Sequence, residues 1–442
     1  MKTEIENQKT VNCSLLTVNS IAITGAGCRF AKTADPQTFW RHTLANVPLL
    51  SACPSVHELL AKAEAIGQPW LCPPRKIGLL ENLHSYEAET FREQDAPATL
   101  FAAQVAMEAL RDASLSSGRM SSSRTGLYIG ATSPFSPALE AVLQHLHNVD
   151  QTVALARNLA PHADESQLEG LSRHLRAGLP PFTQAMVRDA HPHTLAASVA
   201  ALLKISGPAR VACDGHAAFF GALQTAMDDL AAGRVDAAVV GAVTPAFTSA
   251  SLLAACALMD ITRREVLHSF CKSADGTTPG EGAAFFVLQR QGQFHATPYA
   301  IVRGVAMGGD LPQTPGAENI GYIEAHGSGV RQEDNAELAA LCDAFKSVAA
   351  PVAIGTAKPM FGHTLAASGA AGFLRAALAL RHRVLPPTPL AGKSHPRLAQ
   401  SSPLYVPEEP RPWVGGASPR RAGVTALDPT GLCGHAILEE SL

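Results

Sequence analysis

The chain has 442 residues, more than one hydrophobic core usually organises, so two closely packed units or one large two-lobed fold are expected. Hydrophobic residues at 46% against charged residues at 17% exclude a globally disordered chain, and the 35 Gly and 31 Pro read as the element junctions of an interior-rich α/β protein. Lys and Arg number 35 against 38 Asp and Glu with no basic block, which excludes nucleic acid as a partner, and no apolar run reaches the ~18 residues of a membrane span.

In chain order, IAITGAG (21–27) predicts a buried strand that leaves its sheet at glycine. FAAQVAMEALRDA (101–113) carries a helical apolar stripe, and RTGLYIGA (124–131) predicts a second strand. Weak periodicity between Pro134 and Pro181 predicts a helical insertion or cap, a common way to shape substrate access. Next come a helix ending at Gly207, the short strand ARVAC, the helix AAFFGALQTAMDDLAAG closed by Gly233, and the strand DAAVVGAV. The same alternation returns in GAAFFVLQR, IGYIEAHG and VAIGTAK, followed by the long helix AASGAAGFLRAALALRHR. Two similar halves are therefore expected, one over residues 21–260 with the inserted cap and one over 261–442.

Nine cysteines run from Cys13 to Cys433 without a C-x-x-C pair, and the polar start MKTEIENQKTVNCS lacks a signal-peptide pattern. A cytoplasmic chain with free thiols is expected. Cys213 stands between a strand and a helix, where free N–H groups favour a thiolate; a packed structural thiol is the competing reading. Asp214 beside it opposes ionisation. Cys213, Asp214 and His216 also form a potential ligand group, but no second compact Cys/His pair accompanies them, so no metal is expected. His326 in IEAHGSG and His363 in AKPMFGHTLAASGAAG each follow a buried strand on a loop, with Lys358 five residues before His363. Phe219, Phe220, Met227, Met259 and Phe361 read as core before they read as the lining of a substrate channel. Gly25 and Gly27 lack the G-x-G-x-x-G spacing of a dinucleotide site.

The ordered set IAITGAGCRF, DPQTFW, ADGTTPGEGAA, EAHGSG, IGTAKPMFGHTLAASGAAG, RRAGV and GHAILEE resembles the β-ketoacyl synthase family of polyketide type, over nearly the whole chain from residue 21. The resemblance implies a thiolase-like layered α/β/α/β/α fold. It also implies a homodimer or a heterodimer with a related subunit, and thioester substrates on acyl carrier protein or coenzyme A. By motif, Cys213 corresponds to the nucleophile that holds an acyl group, and His326 and His363 to the pair that decarboxylates a malonyl thioester and stabilises its enolate. Lys358 corresponds to the lysine that tunes them, and no organic cofactor is implied.

Three departures stand out. The small polar run after the family cysteine is replaced by CDGH, and the approach GPARVAC is about three residues short of GPSVTVDTAC. The loop GFGGTN becomes DPTGLC, which puts Pro429, a residue without an N–H, where the family has an oxyanion-hole donor. Thr430 or Gly431 is then the replacement donor if the loop shifts. The expected function is decarboxylative condensation in polyketide or specialised fatty-acid biosynthesis. The alternatives are an acyltransferase with a non-malonyl acceptor, which His216 would activate, and a non-condensing heterodimer partner.

Overall fold

The computed structural model describes residues 21–53, 61, 64, 74–80, 97–115, 124–132, 137–294, 297–308, 319–399 and 402–441. The main strands are β1 (Ile21–Phe30), β2 (Thr125–Ala131), β3 (Ala209–Ala212), β4 (Ala237–Thr244), β5 (Gly282–Arg290), β6 (Ile301–Gly308), β7 (Ile320–Glu324), β8 (Val352–Gly355), β9 (Leu404–Tyr405), β10 (Arg421–Leu427) and β11 (Cys433–Glu439). The helices that cover them are α1 (Pro36–Ala45), α2 (Pro97–Asp112), α3 (Leu195–Leu203), α4 (Ala218–Ala231), α5 (Ser249–Leu258), α6 (Arg331–Ala344) and α7 (Ser368–His382).

The strands lie in the order β9-β8-β7-β10-β11-β6-β1-β5-β4-β2-β3. Read outward from β1, the first ladder runs β1-β5-β4-β2-β3, with two antiparallel pairings and then two parallel ones. Read outward from β6, the second runs β6-β11-β10-β7-β8 with the same succession. Each ladder thus repeats one five-strand topology, and Ile21↔Val302 with Ala22↔Ile301 joins them at β1 and β6. The division expected at residue 260 is corrected by this pairing. β5, at Gly282–Arg290, sits between β1 and β4 and belongs to the first ladder. Alternation along the chain reveals strands and helices but not which ladder a strand joins.

Side chains alternate between two cores, as the period of two requires. Tyr128, Val240 and Phe286 face α4 and α7, whereas Ile129, Val239 and Phe285 face α2 and α3. The inner core also takes Val302, Val305, Val424 and Leu438 from the second ladder, so α4 and α7 form a middle layer between the ladders. On the far side of the second ladder, Leu338 and Leu341 of α6 pack on Ile323, Val352 and Ile354. The result is the expected α/β/α/β/α layering. β1 and α2 approach so closely that a Cβ on Gly25 would lie 2.4 Å from the Ala109 carbonyl oxygen and one on Gly27 2.5 Å from that of Val105.

The cap expected after Pro134 is helical, with α-helices at Pro137–Leu143, Val149–Leu159 and Glu165–Ala177. Gly233, with φ of +68°, follows α4 as expected. Among the described residues, no helix is long and apolar enough to cross a membrane.

The inner core also holds one buried ion pair. Arg375 of α7 donates to Glu324 of β7 at 2.6 Å and to the Tyr322 hydroxyl at 2.8 Å, while the other Glu324 oxygen accepts the Ala357 N–H at 2.7 Å. Removing one partner leaves a buried charge uncompensated. Glu324→Ala is therefore expected to lower stability by about 3–5 kcal/mol, read as a shift in the denaturant midpoint at unchanged slope; an unaltered midpoint refutes the role.

Candidate active site

Four loops leave the carboxyl ends of β3, β7, β8 and β10 and meet above the middle helices, where open α/β sheets usually carry their sites. β3 ends at Ala212; Cys213 and Asp214 follow, and a 3-10 turn over Gly215–Ala217 leads into α4. The turn is fixed across the two halves of the molecule. Asp428, at the end of β10, accepts the His216 backbone N–H at 2.8 Å. Gly215 has φ of +57°, and a Cβ there would overlap the Asp428 carboxylate.

His326 follows β7 on a loop whose amides are held by α6. Glu337 accepts the N–H groups of His326 and Gly327 at 2.7 and 2.8 Å and the Thr425 hydroxyl at 2.9 Å. Asp334 accepts those of Gly329 and Phe270 at 3.1 and 2.9 Å. Burial, with Glu337 next to it, lifts the Asp334 carboxyl to about 7. Lys358 and His363 lie on the loop after β8. Its register is set by the His363 N–H donating to Thr278 at 2.7 Å and the Gly280 N–H donating to His363 at 2.9 Å. The Lys358 ammonium donates to the His326 carbonyl and lies 3.4 Å from His326 Nδ1.

Three imidazoles converge here. The His216 ring centroid is 4.3 Å from that of His363 and 6.4 Å from that of His326, and the latter two are 5.2 Å apart. Burial drives all three toward the neutral form. It lowers His326 to about 3, with Lys358 adding to the effect, lowers His363 well below its usual value, and lowers His216 against the opposing pull of Asp428. Burial also brings Lys358 down to about 8 despite Glu337 and Glu324. Glu333, its carboxylate 3.7 Å from His326 Nε2, is held near 2 by that ring against burial.

Hydrogen bonds fix which nitrogens carry protons. The Leu427 N–H donates to His326 Nδ1 at 3.1 Å, and the Leu365 N–H donates to His363 Nδ1 at 3.1 Å. A backbone amide has only a proton to offer, so each Nδ1 is an acceptor and each neutral ring bears its proton on Nε2. Both Nε2 atoms are buried and without a hydrogen-bond partner. The Glu333 carboxylate, 3.7 Å from His326 Nε2, stands beyond hydrogen-bond distance, so both N–H groups are available to a substrate oxygen.

One ring nitrogen from each of the three histidines lies within 4.8 Å of the others, a spacing a metal ion could close. The donor set does not fit one. Ligation at either Nε2 needs a lone pair where the hydrogen bonds place a proton, and a ligating histidine ordinarily donates from its other nitrogen instead of accepting there.

The structure thus brings His326, His363 and Lys358 together, but the side chain that joins them from the β3–α4 corner is His216. Cys213 stands outside the cluster. It is exposed, forms no hydrogen bond with either imidazole, and its pKa is raised by burial and then by Asp214. The expectation that Cys213 faces the two histidines is corrected accordingly. The thiol is the residue that leaves the strand, two positions before the turn that opens the helix and three before His216. The three residues missing from the approach are the signal that could have found this, because they move the corner from Cys213 to His216.

Cys213, Asp214 and His216 share one wall of a cavity of about 560 Å³ with Pro429 and Thr430; Phe247, Ala254, Leu258, Leu365 and Leu432 make it largely apolar. Phe219, Phe220, Met227 and Phe361 belong to the inner core instead. The replacement donors expected in the 428–433 loop are engaged within it. Thr430 donates its N–H to Asp428 Oδ1 at 3.0 Å, and Gly431 donates its N–H to the Asp428 carbonyl at 2.8 Å. With the His216 N–H held by Asp428 and no N–H on Pro429, neither of these two positions offers a free backbone donor to an oxyanion.

The comparisons with known proteins accord with this architecture. Residues 18–293 match the family described as "Beta-ketoacyl synthase, N-terminal domain", and residues 313–390 match "Beta-ketoacyl synthase, C-terminal domain". The chain is 26% identical to a mycocerosic acid synthase-like polyketide synthase of Mycobacterium tuberculosis, over 99% of its own length but 21% of that protein's. In fold it is similar to the ketosynthase from module 6 of the bacillaene synthase of Bacillus subtilis 168, with TM-score 0.76, 23% identity, and coverage of 96% of this chain and 72% of that one. It is likewise similar to an oxazolomycin ketosynthase domain of Streptomyces albus JA3453, with TM-score 0.77, 22% identity, and coverage of 96% and 75%.

If Cys213 lies outside the histidine cluster, its alkylation by iodoacetamide is expected to be slow at pH 7 and to accelerate into the alkaline range, because the raised pKa leaves little thiolate at neutrality. Intact-mass kinetics across pH measure this. Fast labelling at pH 6–7 would point instead to a thiolate activated by a neighbouring imidazole.

Proposed function

Because this chain belongs to the β-ketoacyl synthase family, we propose that it carries out ketosynthase-type carbon–carbon bond formation in polyketide or fatty-acid biosynthesis, generating its carbon nucleophile by decarboxylating a malonyl thioester. One observation carries this reading: the two buried Nε2–H donors of His326 and His363 have no protein hydrogen-bond partner, the Glu333 carboxylate standing 3.7 Å from His326 Nε2. A malonyl thioester carbonyl oxygen there becomes an enolate oxygen as carbon dioxide leaves. Fixed N–H donors in a water-poor site bind the developing charge more tightly than the neutral carbonyl, which is the condition for catalysis. Neutral imidazoles suit the task, since each carries its proton on the side that faces the substrate.

Lys358 works through His326: its ammonium fixes the His326 carbonyl and places a positive charge behind the ring that donates to the developing enolate. The apolar cavity beside the corner takes the acyl part of the substrate. The thioesters would be presented on an acyl carrier protein or coenzyme A, and the functional unit would be a homodimer or a heterodimer with a related subunit.

A second reading, a protein that decarboxylates without lengthening a chain, is favoured by the β3–α4 corner. There an imidazole stands among the histidines and Asp428 occupies the amide that would stabilise an acyl oxyanion. Incubation with malonyl and acyl carrier proteins separates the two. A lengthened β-keto thioester marks condensation, whereas carbon dioxide and an acetyl thioester alone mark decarboxylation.

Under either reading, His326→Ala and His363→Ala are each expected to slow carbon dioxide release by about 10²–10³-fold, and Cys213→Ala is expected to leave it unchanged. Release of labelled carbon dioxide measures this; full activity in either histidine variant refutes the reading. Activity is also expected to fall as pH rises through about 8, where Lys358 loses its charge, and this alkaline limb is expected to be absent in Lys358→Arg.

A further inference from the structure

We propose that His216 is the acid that protonates the α-carbon of the enolate formed at His326 and His363, so that a malonyl thioester is released as its acetyl counterpart when no acyl thioester intercepts it. The inference rests on the decarboxylation step proposed above and assigns the group that completes it.

The placement follows from the donor pair. With the enolate oxygen at the two Nε2–H groups, the α-carbon lies two bonds away from it, on whichever side the cavity leaves open. His216 is the member of the three-ring cluster that also lines the cavity. The His216 ring lies parallel to that of His326 at 6.4 Å and tilted against that of His363 at 4.3 Å, and its Nδ1 is buried and without a hydrogen-bond partner. A buried polar atom left unpaired in an otherwise satisfied site calls for an explanation, and a reacting carbon in front of it supplies one. The other residues of this corner with a transferable proton, Cys213 and Asp214, are outside the cluster of three rings. Asp428 holds the His216 backbone, so the ring is presented from a fixed turn rather than from a mobile loop.

The step balances. The bond between the α-carbon and the carboxylate breaks, carbon dioxide departs, and the electron pair is retained as the enolate. An N–H bond of the His216 imidazolium then breaks as the α-carbon gains its C–H bond. The neutral ring recovers a proton from water through the cavity it lines. Malonyl thioester plus one proton gives acetyl thioester plus carbon dioxide, with no oxidation or reduction. Burial disfavours the charged form of the ring; Asp428 and Glu333 offset part of that penalty, and the anionic substrate adds to the offset while it is bound.

The test uses the full chain with malonyl carrier protein and no acyl thioester, in equal volumes of H2O and D2O. Mass spectrometry reads the deuterium fraction of the acetyl group alongside carbon dioxide release, for the unaltered chain, His216→Ala and His216→Gln. The expected result is that both variants still release carbon dioxide, that their deuterium fraction shifts to a shared value set by water, and that added imidazole moves it back in His216→Ala. An unshifted deuterium fraction overturns the proposal. So does loss of carbon dioxide release in both variants, because it assigns His216 to bond cleavage or folding. If the unaltered chain releases no carbon dioxide, the decarboxylation reading itself fails, which is a separate result.

Discussion

A carboxylate and a guanidinium with almost no access to water, Glu324 and Arg375, hold the site's two loops in one frame. Glu324 closes β7, so its position fixes where the chain turns toward His326. Its second oxygen takes the Ala357 N–H and fixes where the chain turns toward Lys358. Arg375 belongs to α7, the middle-layer helix that begins five residues after His363. Two histidines delivered by different strands can keep a defined spacing only if those strands are tied beneath them. One buried ion pair does this for the whole donor half of the site.

Above that frame the electrostatics divide. Carboxylates lie around the histidine loops at Glu324, Glu333, Asp334 and Glu337, and three of them hold backbone amides. They leave His326 and His363 without protein hydrogen-bond partners at Nε2. Burial and the single ammonium of Lys358 then keep the rings neutral, and the donor half matches the family's chemistry. The corner half does not match it: an imidazole replaces the thiol, a carboxylate occupies its amide, and a proline removes the neighbouring one. The contrast between an intact donor pair and a refilled corner separates this chain from what its motifs alone suggest.

Much of this was legible in the sequence, and for identifiable reasons. The strands and helices of both halves, the helical cap and the partnership of His326, Lys358 and His363 follow from periodicity and from motifs whose spacing is local. The ladder that Gly282–Arg290 joins was not legible, because strand pairing is settled by contacts hundreds of residues apart. The exchange of Cys213 for His216 was missed for a related reason. Residue type drew attention to the thiol, while the shortened approach, which is a matter of geometry, pointed three residues further on. Asp428 was seen only as a neighbour of Pro429, since nothing local relates it to an amide 212 positions earlier.

That long-range contact bears on how such a chain can change over generations. The corner is shaped by two segments encoded far apart, each filling space the other leaves. A cysteine placed at position 216 would find its amide already occupied, and a changed 428–433 loop alone would leave the imidazole at the corner in place. Substitutions in the two segments are therefore expected to act as a coupled pair, with effects that do not add.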